Sequence, residues 1–157
     1  MDVGLDAHMV GQHRGFAMAV REGRAPVEAD APKPYSADLW QDSVTELLAA
    51  FAHADLDRPA VAIELSPDLM PVRRMLAAQL LDTVVHTWDI ARSLGREFVP
   101  PPALLVVTVS LAGHVPDQAR GAGAAFAAAL PRTGKPWGDV LALLGRRDPA
   151  TAPLIRE

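Results

Sequence analysis

The sequence VRRMLAAQLLDTVVHTWDIARSLG, at residues 72–95, predicts a long central helix that decides the fold. Its apolar side chains recur at helical spacing and cover almost the whole circumference, as expected of a helix buried among other helices. Gly95 is a typical residue at the end of such a helix, and a run of prolines follows a few positions later. This segment therefore predicts a helical bundle.

Three polar residues, Gln79, Asp82 and His86, interrupt the apolar helix on one sector. Residues four positions apart project from the same face, so Asp82 and His86 can reach a common point, as metal ligands do. The same pattern also fits an aspartate that accepts a hydrogen bond from a histidine on a solvent-facing strip. The central helix alone does not decide between a metal site and a surface pair.

The rest of the chain predicts an all-α domain of four or so helices. Residues 3–23 have a helical apolar pattern that ends at Gly23, and Ser36 can cap a second helix. The sequence AVAIELSPDLMP, at residues 60–71, is typical of an extended connector or a short strand. One further helix follows Pro102, and a short closing helix ends at Gly145.

Length and composition indicate one globular domain, with the bundle over residues 1–147 and a flexible tail over residues 148–157. A net charge of −4 argues against a basic surface for nucleic acid. We expect a cytoplasmic protein with no membrane partner, because no apolar run approaches the roughly 20 residues that cross a bilayer and no signal peptide is apparent. The chain has no cysteine, so any thiol chemistry must use a small-molecule thiol.

The first helix carries a histidine that can face the bundle interior. His8 shares a sector with Gly11 and Gly15, where missing side chains allow another helix to approach closely. A histidine at such a place is either a satisfied core residue or a ligand. Together with Asp82 and His86 it would supply two nitrogens and one oxygen, and leave a position open for water or substrate.

Two segments, DVGLDAHMVGQHRGFA at residues 2–17 and LLDTVVHTWDIARSLG at residues 80–95, resemble the DinB-like metal-binding domain of mycothiol-dependent maleylpyruvate isomerases and their single-domain actinobacterial relatives. The closing sequence GAAFAAALP…WGDVLALLGRRDP is also similar to these relatives. The resemblance implies a four-helix bundle and a divalent metal, most often zinc, bound by His8, Asp82 and His86. Aspartate stands where the isomerases use glutamate. Because the chain begins inside the helix that carries the first ligand, the resemblance also implies that part of the family's first helix is missing.

The characterised enzymes of this family use the metal to activate the thiolate of a low-molecular-weight cofactor such as mycothiol. The resemblance therefore implies a thiol-dependent transferase or isomerase whose partners are that thiol and a small electrophile. The isomerases carry a further C-terminal domain that supplies an arginine to the substrate site, and no segment of this chain corresponds to it, so we expect a substrate other than maleylpyruvate. Two hypotheses stay open beside this one: hydrolysis by metal-bound water, and a non-catalytic metal-binding or dimerisation bundle that forms a homodimer.

A few other polar or aromatic residues carry expectations of their own. Trp88 is predicted to be a core residue, and Asp89 either to orient a ligand or to pair with an arginine at the end of its own helix. His13 is expected at the surface or its boundary, and His114 as a local cap at a helix end. Gln12, one turn beyond His8, is a candidate to contact a substrate or a bound water.

Overall fold

The computed structural model describes residues 3–63 and 65–148 and confirms the predicted DinB-like, all-α class. Five α-helices lie in these ranges: α1 (Val3–Glu22), α2 (Ala37–Ala52), α3 (Val72–Ser93), α4 (Pro102–Gly113) and α5 (Pro136–Leu143). None of the described helices is both long enough and apolar enough to cross a membrane. Apart from Asp148, the tail expected at residues 148–157 lies outside the described residues.

The chain divides into two compact units. The first unit contains the residues up to His86 together with Ser93–Gly95, and the second contains Thr87–Arg92 and the residues from Arg96 onward. The long helix α3 therefore contributes its first four turns to one unit and its last turns to the other.

In the first unit, α1 packs against α2 and against a 3₁₀ turn at Val27–Asp30. The buried core combines side chains of both helices with the start of α3; its larger members are Phe16, Val20, Leu47, Met70, Val72 and Met75. Burial of apolar side chains of this size supplies most of the favourable free energy of folding.

A small sheet connects the ends of these helices. Three short strands, β1 (Arg24–Ala25), β2 (Pro59–Ala62) and β3 (Met70–Pro71), lie in the order β1-β2-β3. Strands β1 and β2 pair in parallel with Arg24 opposite Val61, whereas β2 and β3 pair antiparallel with Ala60 opposite Met70. The short strand expected near residue 60 is present, and β3 leads directly into α3.

Two helix boundaries follow the local sequence. The Ser36 hydroxyl accepts a hydrogen bond from the backbone N–H of Leu39 at 3.1 Å, which satisfies one of the free donors in the first turn of α2. Helix α1 ends where Gly23 takes a φ of 86° and donates its N–H to the carbonyl of Ala19. Only glycine adopts this left-handed conformation without a steric penalty, so the chain turns there toward β1.

In the second unit, α4 packs against α5. Pro102 begins α4, where a missing N–H costs nothing, and the valine-rich sequence that follows is helical as predicted. The half-buried Arg120 joins the two helices at their C-terminal ends: its Nε donates to the carbonyl of Leu143 at 3.0 Å and its Nη2 to that of Ala112 at 3.2 Å. The carbonyl of Ala112 also accepts the backbone N–H of Val115 at 3.4 Å, and the guanidinium adds a donor at each of the two helix ends.

Candidate metal centre

The aspartate and the histidine of α3 are in direct contact. Nε2 of His86 lies 3.3 Å from Oδ1 of Asp82, and both side chains keep only about a sixth of their surface exposed, at 14% and 17%. The two residues stand one helical turn apart, so their side chains project from the same face of α3. The pair is mostly shielded and does not lie on a solvent-facing strip, and the contact between Asp82 and His86 fits both a hydrogen-bonded pair and two ligands of one metal.

Helix α1 brings the third predicted ligand to the same place. The ring centres of His8 and His86 are 6.0 Å apart, and the rings meet edge to face at 85°. Two imidazoles that bind one zinc ion through nitrogens at about 2.0–2.1 Å place their ring centres roughly 5–6 Å apart. The structure thus places His8 beside His86, which itself contacts Asp82.

A buried oxygen of Asp82 fits a cation at this point. Oδ2 is shielded from solvent and accepts no hydrogen bond from any described residue, although its partner oxygen contacts His86. A carboxylate oxygen buried without a donor or a positive charge is costly. In the described part of the chain, no three His, Asp or Glu side chains are already arranged as a closed metal cage. Two imidazole nitrogens and one carboxylate oxygen are donors that suit a divalent metal.

Two glutamines, one on α3 and one on α1, are buried. Gln79 on α3 is 3% exposed, and its Nε2 donates to Oγ1 of Thr83 at 3.1 Å. Gln12 on α1, one turn beyond His8, is 8% exposed. The sequence grouped Gln79 with Asp82 and His86 by helical spacing, and the structure confirms that all three are shielded on one helix.

The prediction that His13 lies at the surface or its boundary is wrong. Its side chain is buried between α1 and α2, where Nδ1 lies 3.0 Å from Oγ of Ser43 and the ring contacts Trp40. Burial lowers the pKa of His13 below its ordinary value of 6.5, and the negative charge of Asp82 offsets part of this shift.

Asp89 has a partner that the sequence did not suggest. Its carboxylate forms a bidentate pair with Arg146, with Nε 2.9 Å from Oδ1 and Nη2 2.7 Å from Oδ2. The expected pairing with an arginine at the end of its own helix is replaced by this contact, which spans 57 positions of sequence. Trp88 is buried as predicted. Within the second unit Asp89 therefore holds the chain segment that follows α5.

Two other histidines and an arginine make local contacts. His114 is the C-terminal cap of α4, as predicted, with Nδ1 2.7 Å from the carbonyl of Ser110. His53 occupies the same kind of position at the end of α2, and Arg73 forms an exposed ion pair with Asp57. Exposed pairs of this type contribute little free energy, so these residues are structural.

The sequence between the start of α1 and the end of α3 matches a known family. The matching model is that of the mycothiol maleylpyruvate isomerase N-terminal domain, and the match covers residues 4–91. The chain belongs to this family. No curated protein and no solved structure gives a significant match. The matched range contains His8, Asp82 and His86, whereas α4 and α5 lie beyond it.

This mycothiol maleylpyruvate isomerase N-terminal family is DinB-like, typically binds metal and is associated with mycothiol. The resemblance in α1 and α3 is thereby confirmed. The match ends at residue 91, before the closing segment begins. The similarity of that segment to the single-domain relatives therefore stays a prediction.

Proposed function

We propose that this chain binds one divalent cation, most often zinc, through His8, Asp82 and His86, and that the bound cation activates the thiol of mycothiol or a related small molecule for reaction with a small electrophile. The observation that carries the proposal is the meeting of these three side chains from two helices, with a buried oxygen of Asp82 that lacks a donor among the described residues. Family membership supports the same donor set.

The chain's own residues would bind and orient the cation rather than take part covalently. His8 and His86 offer neutral nitrogens, and Asp82 offers the negative charge that balances part of the metal's charge. A cation bound there supplies the positive charge that lowers the pKa of a thiol at its open position. Because the chain has no cysteine, the sulfur nucleophile has to arrive with the small molecule.

Burial around the site would serve the same chemistry. The side chains of Asp82 and His86 are mostly shielded, and Gln79 and Val85 beside them are buried. Electrostatic interactions are stronger where water is excluded, so a bound thiolate is stabilised more than it would be at an exposed site. The reaction expected is transfer of the thiol sulfur to the electrophile or a thiol-assisted isomerisation.

Metal content tests the first half of this proposal. Protein purified without chelator is analysed by inductively coupled plasma mass spectrometry for the wild type, His86→Ala, Asp82→Ala and the control His53→Ala, which alters an exposed histidine on α2. We expect one equivalent of metal in the wild type and the control, and loss of it in the two site variants. A wild type that binds no divalent metal would contradict the proposal.

Thiol dependence tests the second half. The metal-loaded protein is incubated with panels of small electrophiles, with and without mycothiol, and thiol consumption and product are followed by mass spectrometry. The proposal requires turnover that depends on both the thiol and the metal. Turnover without any thiol would instead support hydrolysis by metal-bound water. Metal binding without turnover of any kind would support the non-catalytic alternative.

A further inference from the structure

A buried glutamine lies on the same helix as two of the proposed ligands. Gln79 precedes Asp82 by three residues and His86 by seven, so the three side chains share one face of α3. The side chain of Gln79 is 3% exposed. Glutamine is seldom buried to this extent unless both ends of its carboxamide are engaged.

Only one end of this carboxamide is engaged. Nε2 donates to Oγ1 of Thr83 at 3.1 Å, whereas Oε1 is shielded from solvent and accepts no hydrogen bond from the residues described. Thr83 lies one turn further along α3, next to Asp82 in the sequence. A leucine would fill this position without leaving a buried polar atom, so the oxygen has a free-energy cost that a bound group would remove.

Asp82 presents a second oxygen of the same kind three residues later. Oδ2 of Asp82 and Oε1 of Gln79 are both buried acceptors with no donor in the described ranges. Two acceptors cannot satisfy each other, but one cation satisfies both. Helical residues at i and i+3 do bind a common metal, as in the Glu-x-x-His pairs of carboxylate-bridged metal bundles.

We propose that Gln79 supplies a further oxygen donor to the cation that His8, Asp82 and His86 bind, so that the protein supplies two nitrogens and two oxygens and the thiol takes a further, fifth position. This inference rests on the proposed function, because it concerns the same cation. The carboxamide is neutral, so it adds a donor without adding charge. Oxygen donors suit harder ions. We therefore expect the site with Gln79 to accept ions such as Mn²⁺ or Fe²⁺ more readily than the same site without the Gln79 oxygen.

Cobalt binding tests the role of Gln79 directly, without an activity assay. Chelator-treated protein is titrated with Co²⁺, whose visible absorption depends on the number and type of its donors, and the dissociation constant is measured by calorimetry. The variants are Gln79→Leu, which keeps the volume and removes the oxygen, and Gln79→Glu, which keeps an oxygen in place. Gln41→Leu, on the exposed side of α2, is the matched control.

We expect Gln79→Leu to weaken Co²⁺ binding by about 10- to 100-fold, the range typical for loss of a residue that supports a metal site. The absorption spectrum of Co²⁺ bound to Gln79→Leu should also change. Gln79→Glu should bind Co²⁺ with wild-type affinity or more tightly. Gln41→Leu should match the wild type in both affinity and spectrum. Circular dichroism verifies that each variant is folded, and Gln79→Glu carries the test if Gln79→Leu is not.

Two outcomes overturn the inference in distinguishable ways. If Gln79→Leu binds Co²⁺ with the affinity and spectrum of the wild type, Gln79 is no ligand and the proposed function is unaffected. A folded Gln79→Glu variant that binds Co²⁺ more weakly than the wild type leads to the same conclusion, because it keeps an oxygen donor in place. If the wild type itself binds no Co²⁺, Mn²⁺ or Zn²⁺, the proposed function fails and the role of Gln79 fails with it.

Discussion

His13 on α1 and Ser43 on α2 are joined by a buried hydrogen bond, with Nδ1 3.0 Å from Oγ. The Ser43 hydroxyl donates to the backbone carbonyl of Trp40 at 2.9 Å, so it accepts a hydrogen bond from the N–H of His13, which favours the neutral ring with its proton on Nδ1. The imidazole therefore links the two packed helices of the first unit and lies close enough to Asp82 for the two charges to interact.

The burial of His13 predicts that stability falls on mild acidification. Burial lowers the pKa of this histidine in the folded protein below its ordinary value of 6.5, so the unfolded chain takes up a proton that the folded chain resists. The contribution of neutral His13 to the free energy of unfolding is complete above the pKa of histidine in the unfolded chain. It is lost as the pH falls toward the lower pKa of His13 in the folded protein. Urea unfolding of metal-free protein at several values between about pH 7.5 and about pH 5.5 measures it.

His13→Asn isolates this contribution, because asparagine can still donate to Ser43 but does not titrate. We expect its free energy of unfolding to depend less on pH than that of the wild type over the same interval. His53→Asn, which removes an exposed histidine from the end of α2, should keep the wild-type slope. Equal slopes for wild type and His13→Asn would show that His13 does not carry the pH dependence.

Two glycines of α1 are in such close contact with their surroundings that replacing either with alanine should lower stability. A methyl group at Gly11 would overlap the backbone carbonyls of Asp30 and Ala31, and one at Gly15 would overlap the side-chain carboxylate of Asp30. Alanine favours a helix over glycine by about 1 kcal/mol, but overpacking of a close contact costs about 1–3 kcal/mol. We expect both alanine variants to be destabilised, as measured by chemical denaturation.

A double-mutant cycle separates the two contacts. Combining Asp30→Ala with Gly15→Ala should relieve the overlap, since only the Asp30 side chain is in the way, whereas Asp30→Ala should not rescue Gly11→Ala, whose obstacle is backbone. Gly113→Ala at the end of α4, where a methyl group meets nothing within 4 Å, is the control and should be neutral or stabilising. Rescue of both variants, or of neither, would contradict the described packing of the Val27–Asp30 turn.

Much of the fold could be predicted from the sequence because its signals are local. The cap at Ser36, the left-handed glycine after α1 and the helical spacing of apolar residues in α3 each act within one or two turns. These features need no knowledge of distant partners. The glycines on one side of α1 indicated a close approach by another helix, but the structure instead places the turn at Val27–Asp30 and the backbone of Ala31 against Gly11 and Gly15.

The features that the sequence did not reveal depend on contacts between distant segments. The apolar pattern of α1 could not show that α2 would cover His13, because this helix is buried on more than one side. Strand β1 has only two residues, and its pairing with Val61 has no sequence pattern of its own. Arg146 was one of several arginines available to Asp89, and only the path of the chain selects it.

The ion pair of Asp89 and Arg146 is expected to contribute to the stability of the fold. Its two side chains are 23% and 20% exposed and make three short N–O contacts, so each loses a partner in a shielded place if the other is removed. We expect Arg146→Ala to destabilise the protein by about 1–3 kcal/mol in chemical denaturation, as for other hydrogen-bonded charged groups. Arg73→Ala, whose partner Asp57 is exposed, should change stability by less than about 1 kcal/mol. Equal effects of the two substitutions would mean that the Asp89 pair behaves as an ordinary surface contact.

Arg120 provides the last prediction, because its effect depends on the shape of the guanidinium. Nε and Nη2 donate to two different helix ends, the carbonyls of Leu143 and Ala112, and Nη1 pairs with Asp117 at 2.8 Å. A lysine ammonium is a single point of charge on a flexible stem and cannot donate along the same fork. We therefore expect Arg120→Ala to lower the free energy of unfolding by about 1.5–3 kcal/mol, the range for hydrogen bonds from a charged group, and Arg120→Lys to recover only a minor part of that loss.

Hydrogen exchange should show faster opening at the ends of both α4 and α5 in either variant, whereas Arg132→Ala, on an exposed loop, should leave both ends protected. Full recovery by lysine would show that charge alone, and not the paired donors, holds the two helix ends.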